Sequence, residues 1–313
     1  MQPQTIKYPT GPDTFVEVVD TFAEMFPMWA GRVLITAENE KWALTAARTA
    51  TGFGTSIIMS PAEAGIESTA TPDKTPDGRT GVIIQIYHRN RLDLKSQMIL
   101  RIGQCVMTCP TTAAFDALPE SKRRMKVGRS LRYFGDGFQK RDTMFERLVW
   151  RIPVMEGEFI VEDRFGAINA IGGGNFLVMT ESQKAGLHAA EEAVKAISQL
   201  NEKVILPFPG GVCRSGSKAG SLKYKLKAST FHQFCPKLKK LVPDSQVPDN
   251  INSVYEIVID GLSLDSIKRA MAVGIQAAVK VPGVLRISAG NYGGKLGQCR
   301  ADLKEALGLQ TAV

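Results

Sequence analysis

The chain has 313 residues, 44% of them hydrophobic and 22% charged, an ordinary balance for a globular protein large enough for two domains. No apolar run approaches the roughly 18 to 20 residues of a membrane-spanning helix, and the first residues lack the pattern of a secretory signal. Of five cysteines only Cys105 and Cys109 lie close together, which fits neither a disulfide framework nor a CxxC motif. We therefore expect a cytoplasmic protein with reduced thiols and no membrane contact.

The net charge of +8 is concentrated in two segments. Residues 122–147 carry nine Lys or Arg against three acids, and residues 214–240 carry eight Lys or Arg and no acid, so the rest of the chain is acidic. Such segments indicate a polyanionic partner, either a nucleic acid or a small molecule with several carboxylates or phosphates. A solvated loop is the alternative for each segment.

The sequence contains a repeat at an interval of 143 residues: residues 20–50 align on residues 163–193, and ten of these 31 positions are identical. Periodicity and turn residues predict the same series of elements in each copy. The first copy gives strand 32–37, helix 41–50, strand 55–59, strand 81–88, a helix from residue 92 to about 103, and a short closing strand. The second copy gives strand 175–180, helix 184–199, strand 204–208, strand 253–260, helix 263–279 with Ser263 as N-cap, and strand 284–288.

Strand-helix-strand, twice in each copy, is the split β-α-β or ferredoxin-like unit. We predict an α+β fold with an internal duplication, in which residues 1–155 and 156–313 form two ferredoxin-like lobes with antiparallel sheets. By residue 254 the interval between the copies has grown from 143 to 172. The second lobe therefore contains an insertion, around residues 206–250, that includes the basic segment 214–240.

One carboxylate interrupts the strand "SVYEIVIDG" of the second copy. Glu256 shares a face with Val254 and Val258, and at an interval of 172 its counterpart is Ile84, so the fold itself does not require a carboxylate there. Burial of an unpaired carboxylate is costly and raises its pKa, and such groups concentrate at working sites. We predict that Glu256 has a functional role and that its flanking valines keep it protonated near neutral pH. A structural ion pair with Arg286 is the alternative.

The remaining motifs exclude several kinds of chemistry. The three histidines have no metal-ligand spacing, and the glycine-rich stretches 52–56 and 171–175 are typical of turns rather than phosphate cradles. No serine or cysteine lies in a triad context, so an acyl transfer would proceed by direct attack of an amine. The strand "GVIIQIYH" offers only Tyr87 for base stacking, which argues against RNA as the partner.

Long motifs from about residue 18 to residue 300 resemble the formylmethanofuran:tetrahydromethanopterin N-formyltransferases. They include "ARTATGFGTSIIMSPAEAGIE" (47–67), "RIGQCVMTCPTTAAFDALPE" (101–120), "IPVMEGEFIVEDRFG" (152–166), "GGNFLVMTESQKAGL" (173–187), "VYEIVIDGL" (254–262) and "ISAGNYGGKLGQ" (287–298). The resemblance implies a duplicated ferredoxin-like fold and formyl transfer between the amine of methanofuran and N5 of tetrahydromethanopterin. It implies no metal or prosthetic group, and it places the catalytic carboxylate of "VYEIV" at Glu256.

The resemblance leaves the working context open. Relatives act in methanogenic archaea or as one subunit of a formyltransferase/hydrolase complex in methylotrophic bacteria, and the basic balance of this chain favours the complex. A homo-oligomer is expected as well. A structural subunit that has lost its chemistry is the alternative to an active enzyme.

Substrate contacts are predicted at three places besides Glu256. The "PFPGG" turn is expected to present backbone amides, although a rigid turn explains it equally well. Its predicted contacts are Phe208, Pro209, Gly210 and Gly211. Polar contacts are predicted at Gln104, Thr108 and Ser215. The glutamate-rich tail of a methanofuran-type cofactor is expected to bind three lysines of the basic insertion: Lys223, Lys225 and Lys227.

Overall fold

A computed structural model describes residues 4–215 and 218–309. The strands are β1 (Thr5–Pro9), β2 (Phe15–Val19), β3 (Phe22–Thr36), β4 (Glu63–Ala70), β5 (Gly81–His88), β6 (Ala113–Asp116), β7 (Arg123–Met125), β8 (Lys140–Met144), β9 (Arg147–Val154), β10 (Gly157–Glu162), β11 (Phe165–Thr180), β12 (Val204–Ile205), β13 (Lys218–Ala219), β14 (Ala228–Ser229), β15 (Ser253–Gly261), β16 (Val284–Ser288) and β17 (Cys299–Asp302). The helices are α1 (Glu40–Thr51), α2 (Arg91–Arg101), α3 (Val127–Leu131), α4 (Gln183–Ser198), α5 (Leu264–Ala278) and α6 (Leu303–Ala306).

The chain divides into two compact units. The N-terminal unit is residues 28–170, and the C-terminal unit joins the residues up to Pro27 to those from Ile171 onward. These units differ from the predicted lobes, 1–155 and 156–313, chiefly at the start of the chain. Strands β1 and β2 belong to the C-terminal unit because β2 pairs with β16, which lies near the other end of the sequence.

The sheet of the N-terminal unit has the strand order β4, β5, β3, β6, β10, β9, β8. Neighbouring strands are antiparallel except β10, which runs parallel to β6. Helices α1 and α2 bury small and apolar side chains, among them Ala47 and Met98, against Val33, Ile84 and Ile86 of the sheet. Asn39 and Asn90 cap these helices with side-chain oxygens that accept backbone N–H groups.

The sheet of the C-terminal unit repeats this plan with the order β12, β15, β11, β16, β2, β1. Its neighbours are antiparallel except β2, which runs parallel to β16. Helices α4 and α5 pack on one face, where Ile267 and Met271 meet Phe176, Ile257 and other buried side chains. Ser263 caps α5 by accepting the N–H of Ser266, as predicted.

The predicted antiparallel sheets are therefore wrong in one respect, since both sheets are mixed. The parallel strand comes from the segment that precedes each repeat: β2 lies before β3, and β10 lies before β11. Each of these segments adds to the free edge of a closing strand, β16 or β6, and so covers backbone groups that an edge would expose. No periodicity within the segment signals this pairing. The structure shows a mixed α+β fold built largely on sheets.

The predicted strand 55–59 is also wrong, because this segment forms a turn and the strand begins at Glu63. The carbonyl oxygen of Ser56 accepts the N–H groups of Met59 and Ser60, and the Glu63 carboxylate accepts the N–H of Ile57 at 2.9 Å. These local hydrogen bonds occupy backbone groups that would otherwise pair with a neighbouring strand. An apolar run as short as "TSIIM" does not by itself distinguish a turn from a strand.

The spacing between the copies needs a correction of one residue. The N-caps of the first helices, Asn39 and Ser182, are 143 residues apart, but those of the second helices, Asn90 and Ser263, are 173 apart. Glu256 therefore corresponds to Ile83 and not to Ile84. A shift of one residue moves a strand side chain to the opposite face, and Ile83 does lie on the face without helices.

Among the described residues no helix is both long and apolar enough to cross a membrane.

Candidate active site

Glu256 lies in the middle of β15 with its backbone fully paired. Its N–H donates to the carbonyl oxygen of Cys213 at 2.9 Å, and its own carbonyl oxygen accepts the N–H of Cys213 at 2.8 Å. On the other side it pairs with Leu177 of β11. The residue is 8% exposed. The strand thus holds a carboxylate in a rigid, largely dry position, on the sheet face away from the helices.

The side chain of Glu256 opens into a narrow cavity of about 30 Å³. A volume of that size accommodates roughly one water-sized group. Its walls combine apolar side chains with a few polar groups. Besides Glu256, the lining residues are Leu177, Cys213, Arg214, Ser215, Thr230, Phe231, Phe234, Cys235 and Val254.

The basic insertion supplies most of this lining. Phe231 and Phe234 pack edge to face, with ring centroids 4.8 Å apart, and Phe234 is buried against Leu177 and other side chains of the sheet. His232, between them, lies 3.2 Å from a carboxylate oxygen of Asp244 and ties the segment to the later part of the insertion. This part of the insertion therefore forms an aromatic cover over Glu256.

A second loop, residues 290–297 of "AGNYGGKLG", stands beside the cavity wall. The ring of Tyr292 stacks on Phe231, with centroids 6.2 Å apart and an angle of 9° between the ring planes. Its hydroxyl oxygen accepts the N–H of Ala219 at 2.9 Å. Burial raises the pKa of the Tyr292 phenol above its ordinary value, the Ala219 bond opposes this, and the nearby charges of Glu256 and Glu24 raise the pKa further.

Glu24, on β3, holds this loop. One carboxylate oxygen accepts the N–H groups of Tyr292 at 2.7 Å and Gly294 at 2.9 Å, and the other accepts those of Leu296 at 2.6 Å and Gly297 at 2.5 Å. Burial acts to raise the pKa of Glu24, but the four backbone bonds outweigh it and leave the pKa below the ordinary value. Glu24 is therefore an ionised anchor at working pH.

Comparison with known proteins identifies the family. The family model for formylmethanofuran-tetrahydromethanopterin formyltransferase matches residues 13–154, and the model described as "FTR, proximal lobe" matches residues 157–306. The chain belongs to this formyltransferase family. The resemblance predicted from the sequence motifs is confirmed.

Individual members of the formyltransferase family are similar along nearly the whole chain. The formyltransferase of Methanocaldococcus jannaschii is 54% identical over 93% of this chain and 97% of its own length. The solved formyltransferase of Methanosarcina barkeri has a TM-score of 0.88 and 52% identity, covering 93% of this chain and 98% of its own. A chain of the formyltransferase/hydrolase complex from Methylorubrum extorquens, solved in complex with methylofuran, also has a TM-score of 0.88, with 43% identity over 93% and 97% of the two chains.

The structure brings only part of the predicted formyltransferase site together. Ser215 lines the cavity with Glu256. The "PFPGG" turn precedes the lining segment but does not line the cavity itself, and Gly211 donates its N–H to Phe208 within the turn at 2.8 Å. Pro209 and Gly210 are exposed. The turn thus leads the chain into residues 213–215, which line the cavity.

The three predicted lysines lie apart from the cavity. Lys223, Lys225 and Lys227 are exposed near the tip of the hairpin formed by β13 and β14. The base of this hairpin does reach the site, because Ala219 bonds to Tyr292 and the strand β14 leads directly into Thr230 and Phe231 of the lining.

Gln104 and Thr108 lie in the N-terminal unit and are not among the residues that line the cavity of Glu256. Gln104 is exposed on a turn of π-helix, Ile102–Val106, a form that often occurs at functional sites. The hydroxyl of Thr108 donates to the carbonyl oxygen of Gln104 at 2.7 Å, which is a local capping bond.

The alternative ion pair between Glu256 and Arg286 is not the arrangement found. Arg286 donates from Nε to a carboxylate oxygen of Glu17 at 2.7 Å, on the neighbouring strand β2. Since β2 was not expected beside β16, sequence reasoning had no reason to choose Glu17.

Sequence reasoning missed Glu24, Tyr292, Phe231 and Arg214 as members of the site. A signal was available for Tyr292, whose motif "GNYGGKLG" concentrates four glycines around one tyrosine. Gly293 and Gly294 have φ of 70° and 72°, a conformation that disfavours other residues, so their presence indicates a tightly folded loop. The sequence around Glu24 contains no pattern that indicates its role in the site.

Proposed function

We infer that the chain transfers a formyl group between the amine of a methanofuran-type cofactor and N5 of tetrahydromethanopterin. Relatives with this activity in their names are 50% to 54% identical over 93% of the chain. Within the structure, the observation that carries the inference is the buried carboxylate of Glu256, which opens into a small cavity with apolar walls. Both one-carbon carriers are substrates, and the reaction requires no tightly bound cofactor.

Glu256 has the position required to move protons in this reaction. The attacking amine forms a bond to the formyl carbon, giving a tetrahedral intermediate, and the original carbon–nitrogen bond then breaks. The attacking nitrogen must lose a proton and the leaving nitrogen must gain one. We assign both transfers to the carboxyl group of Glu256. A cavity of about 30 Å³ suits the formyl group and not a whole cofactor, so most of each carrier would lie outside it. Because no serine or cysteine lies in a triad context in the sequence, we favour direct transfer between the two amines.

The lining of the cavity supports the other needs of the transfer. Arg214 and Ser215 provide a cation and a hydroxyl close to Glu256, where negative charge develops on the formyl oxygen. Leu177, Phe231 and Phe234 limit access of water, which would otherwise hydrolyse the formyl group. Gln104, Thr108 and the "PFPGG" turn stay predictions as further substrate contacts.

The test is formyl transfer by the purified chain beside Glu256→Gln. An acid–base carboxylate contributes roughly 100-fold or more, so we expect a loss of that size in kcat. Glu191→Gln, an exposed change on α4, is the matched control and should retain full activity. Equal activity of the native chain and Glu256→Gln would remove Glu256 from the mechanism. An inactive native chain, even with candidate partner subunits added, would favour the structural-subunit alternative.

The basic hairpin tip fits the acidic tail of the furan cofactor. Lys223, Lys225 and Lys227 are exposed with no acidic residue between positions 214 and 240, and the base of their hairpin contacts the site through Tyr292. We propose that these lysines attract the glutamate-rich tail, while the formyl-bearing end reaches Glu256. The Methylorubrum complex was solved with methylofuran, which supports a furan cofactor as a ligand in this family.

The context of the enzyme is also a proposal. We propose a cytoplasmic enzyme that forms a homo-oligomer or joins further subunits of a formyltransferase/hydrolase complex, with no nucleic acid or membrane partner. The similar chain in the Methylorubrum complex supports the second arrangement. We further propose that both units descend from one ferredoxin-like split β-α-β domain, which the repeated strand order and the matching helix caps support.

A further inference from the structure

The basic segment 122–147, which has no role in the proposed transfer, contributes three arginines to a pocket of the N-terminal unit. A fourth arginine lies between β10 and β11. The pocket has a volume of about 300 Å³, which lies within the range of small-molecule sites. The four arginines that line it are Arg124, Arg129, Arg141 and Arg164.

Hydrogen bonds to Asp163 hold the walls of this pocket together. The N–H of Asp163 donates to the carbonyl oxygen of Leu148 at 2.9 Å, and its own carbonyl oxygen accepts the N–H of Arg129 at 3.0 Å. Its carboxylate accepts the indole N–H of Trp150 at 2.7 Å, and Trp150 on β9 pairs with Arg141 on β8. The backbones that carry Arg129 and Arg141 are therefore tied to one another through the pocket wall.

The two acids in the pocket wall each have a cation beside them. A carboxylate oxygen of Glu162 accepts a hydrogen bond from Nη1 of Arg147 at 2.6 Å. A carboxylate oxygen of Asp163 lies 3.4 Å from Nε of Arg164. Because opposite charges this close largely cancel, these acids oppose an incoming anion only weakly.

Arg129 and Arg141 provide the positive charge that is left over. Arg124 is bound to the buried carboxylate of Asp116 at 2.5 Å. In contrast, Arg129 and Arg141 are exposed, and neither side chain forms an ion pair or a hydrogen bond with any residue in 4–215 or 218–309. With Arg147 and Asp116 included, five arginines stand against three acids, so the pocket has a surplus of two positive charges.

Two guanidinium groups at one pocket suit a doubly charged oxyanion. Each presents planar N–H donors that match the oxygens of a phosphate or a carboxylate. A nucleic-acid chain is less well suited, because it requires cations along an extended groove rather than around one pocket. We propose that Arg129 and Arg141 bind the dianionic group of a small molecule, either a phosphate monoester or a dicarboxylate. The proposal does not depend on the role of Glu256.

Isothermal titration calorimetry of the full chain tests the proposal, with glycerol 3-phosphate and glutarate as the two probes. Both are mainly dianionic at pH 7, and sodium chloride keeps the ionic strength constant. We expect saturable binding of at least one probe. Arg129→Gln combined with Arg141→Gln should weaken that binding roughly tenfold or more, because two hydrogen-bonding cations are lost from a partly screened site.

Arg48→Gln combined with Lys74→Gln is the matched control. It removes two exposed cations from the same unit, and neither residue lines the pocket. The affinity for the probe should stay at the native value. A urea unfolding curve for each double variant establishes that it is folded, and the pocket variant should keep the native stability because it breaks no ion pair.

Two results would overturn the proposal. One is the absence of saturable binding of either probe to the native chain. The other is an equal loss of affinity in both double variants, which would assign the binding to net charge alone.

If only the pocket variant loses affinity, formyl-transfer kinetics identify the source of the anion. A raised KM for one of the two one-carbon carriers in this variant, but not in the control, identifies the anion as part of that carrier. Unchanged KM values for both carriers identify a free small molecule. Since the titration requires no turnover, it gives the same answer whether or not Glu256→Gln is active.

Discussion

Replacing Glu24 by glutamine tests how much of the site depends on one buried anchor. The carboxylate of Glu24 accepts four backbone N–H groups at 2.5 to 2.9 Å. A glutamine oxygen can still accept two of them, but the amide nitrogen accepts none and turns two donors toward the remaining pair. A buried N–H group without an acceptor costs roughly 1 to 3 kcal/mol, so we expect Glu24→Gln to reduce the free energy of unfolding by about 2 to 6 kcal/mol.

Urea unfolding near neutral pH measures this loss, and Glu202→Gln serves as its control. Glu202 forms an exposed ion pair with Arg269 at 2.5 Å in the same unit. Exposed pairs contribute up to about 1 kcal/mol, so the control should change little. A loss for Glu24→Gln no larger than that of the control would refute the reasoning, because the four N–H groups would then have found water or other partners at no cost.

The pH dependence provides an independent check on the same residue. Folding lowers the pKa of Glu24 below its ordinary value of 4.5. A group with a lowered folded pKa stabilises the protein fully above its unfolded pKa, and this contribution disappears as the pH falls through the folded value. The difference in unfolding free energy between the native chain and Glu24→Gln should therefore be constant above about pH 5 and should shrink below about pH 4. A constant difference down to the acid transition would contradict an ionised anchor.

Two further predictions concern charged side chains. Arg124→Met removes the partner of the fully buried Asp116, 2.5 Å away, and should cost about 3 to 5 kcal/mol in a urea unfolding curve, because a buried charge is left unpaired. The control Arg151→Met, at a partly exposed arginine that pairs with partly exposed carboxylates, should have a far smaller effect. Reversing the charge of the lysines at the hairpin tip should raise KM for the furan cofactor, and added salt should reduce the difference. A KM that is unchanged at every salt concentration would exclude the hairpin tip as the binding site of the cofactor's acidic tail. The lysines are Lys223, Lys225 and Lys227.

Hydrophobic periodicity was sufficient to predict the repeated frame of the fold. The helices α4 and α5 begin and end within one residue of the predicted bounds, and the strands β5 and β16 have the predicted bounds. These elements bury one face against a core inside their own repeat, so the pattern along the chain carries the information. The mixed sheets depend instead on pairing between residues far apart, such as Glu17 and Arg286, which no local pattern encodes.

The candidate site shows the same limit. Glu256 could be found because a carboxylate in an apolar strand contradicts its surroundings, and such conflicts are expected at functional positions. Glu24 and Tyr292 could not be connected in the same way, since they are 268 residues apart and each is unremarkable within its own segment. The aromatic cover is a further example. The sequence pattern of segment 214–240 is dominated by its charge, and it does not indicate that Phe231 and Phe234 line a site.

The duplication itself shows that the chemistry was added to a frame that does not require it. At an interval of 143 residues in the first part of each copy and 173 in the second, the polar members of the site correspond to different residue types in the other unit. The pairs are Glu24 with Ala167 and Glu256 with Ile83. Because Ile83 occupies the matching place in a folded sheet, an uncharged residue is compatible with the strand geometry at position 256. Loss of activity in Glu256→Gln would therefore report on proton transfer and not on unfolding.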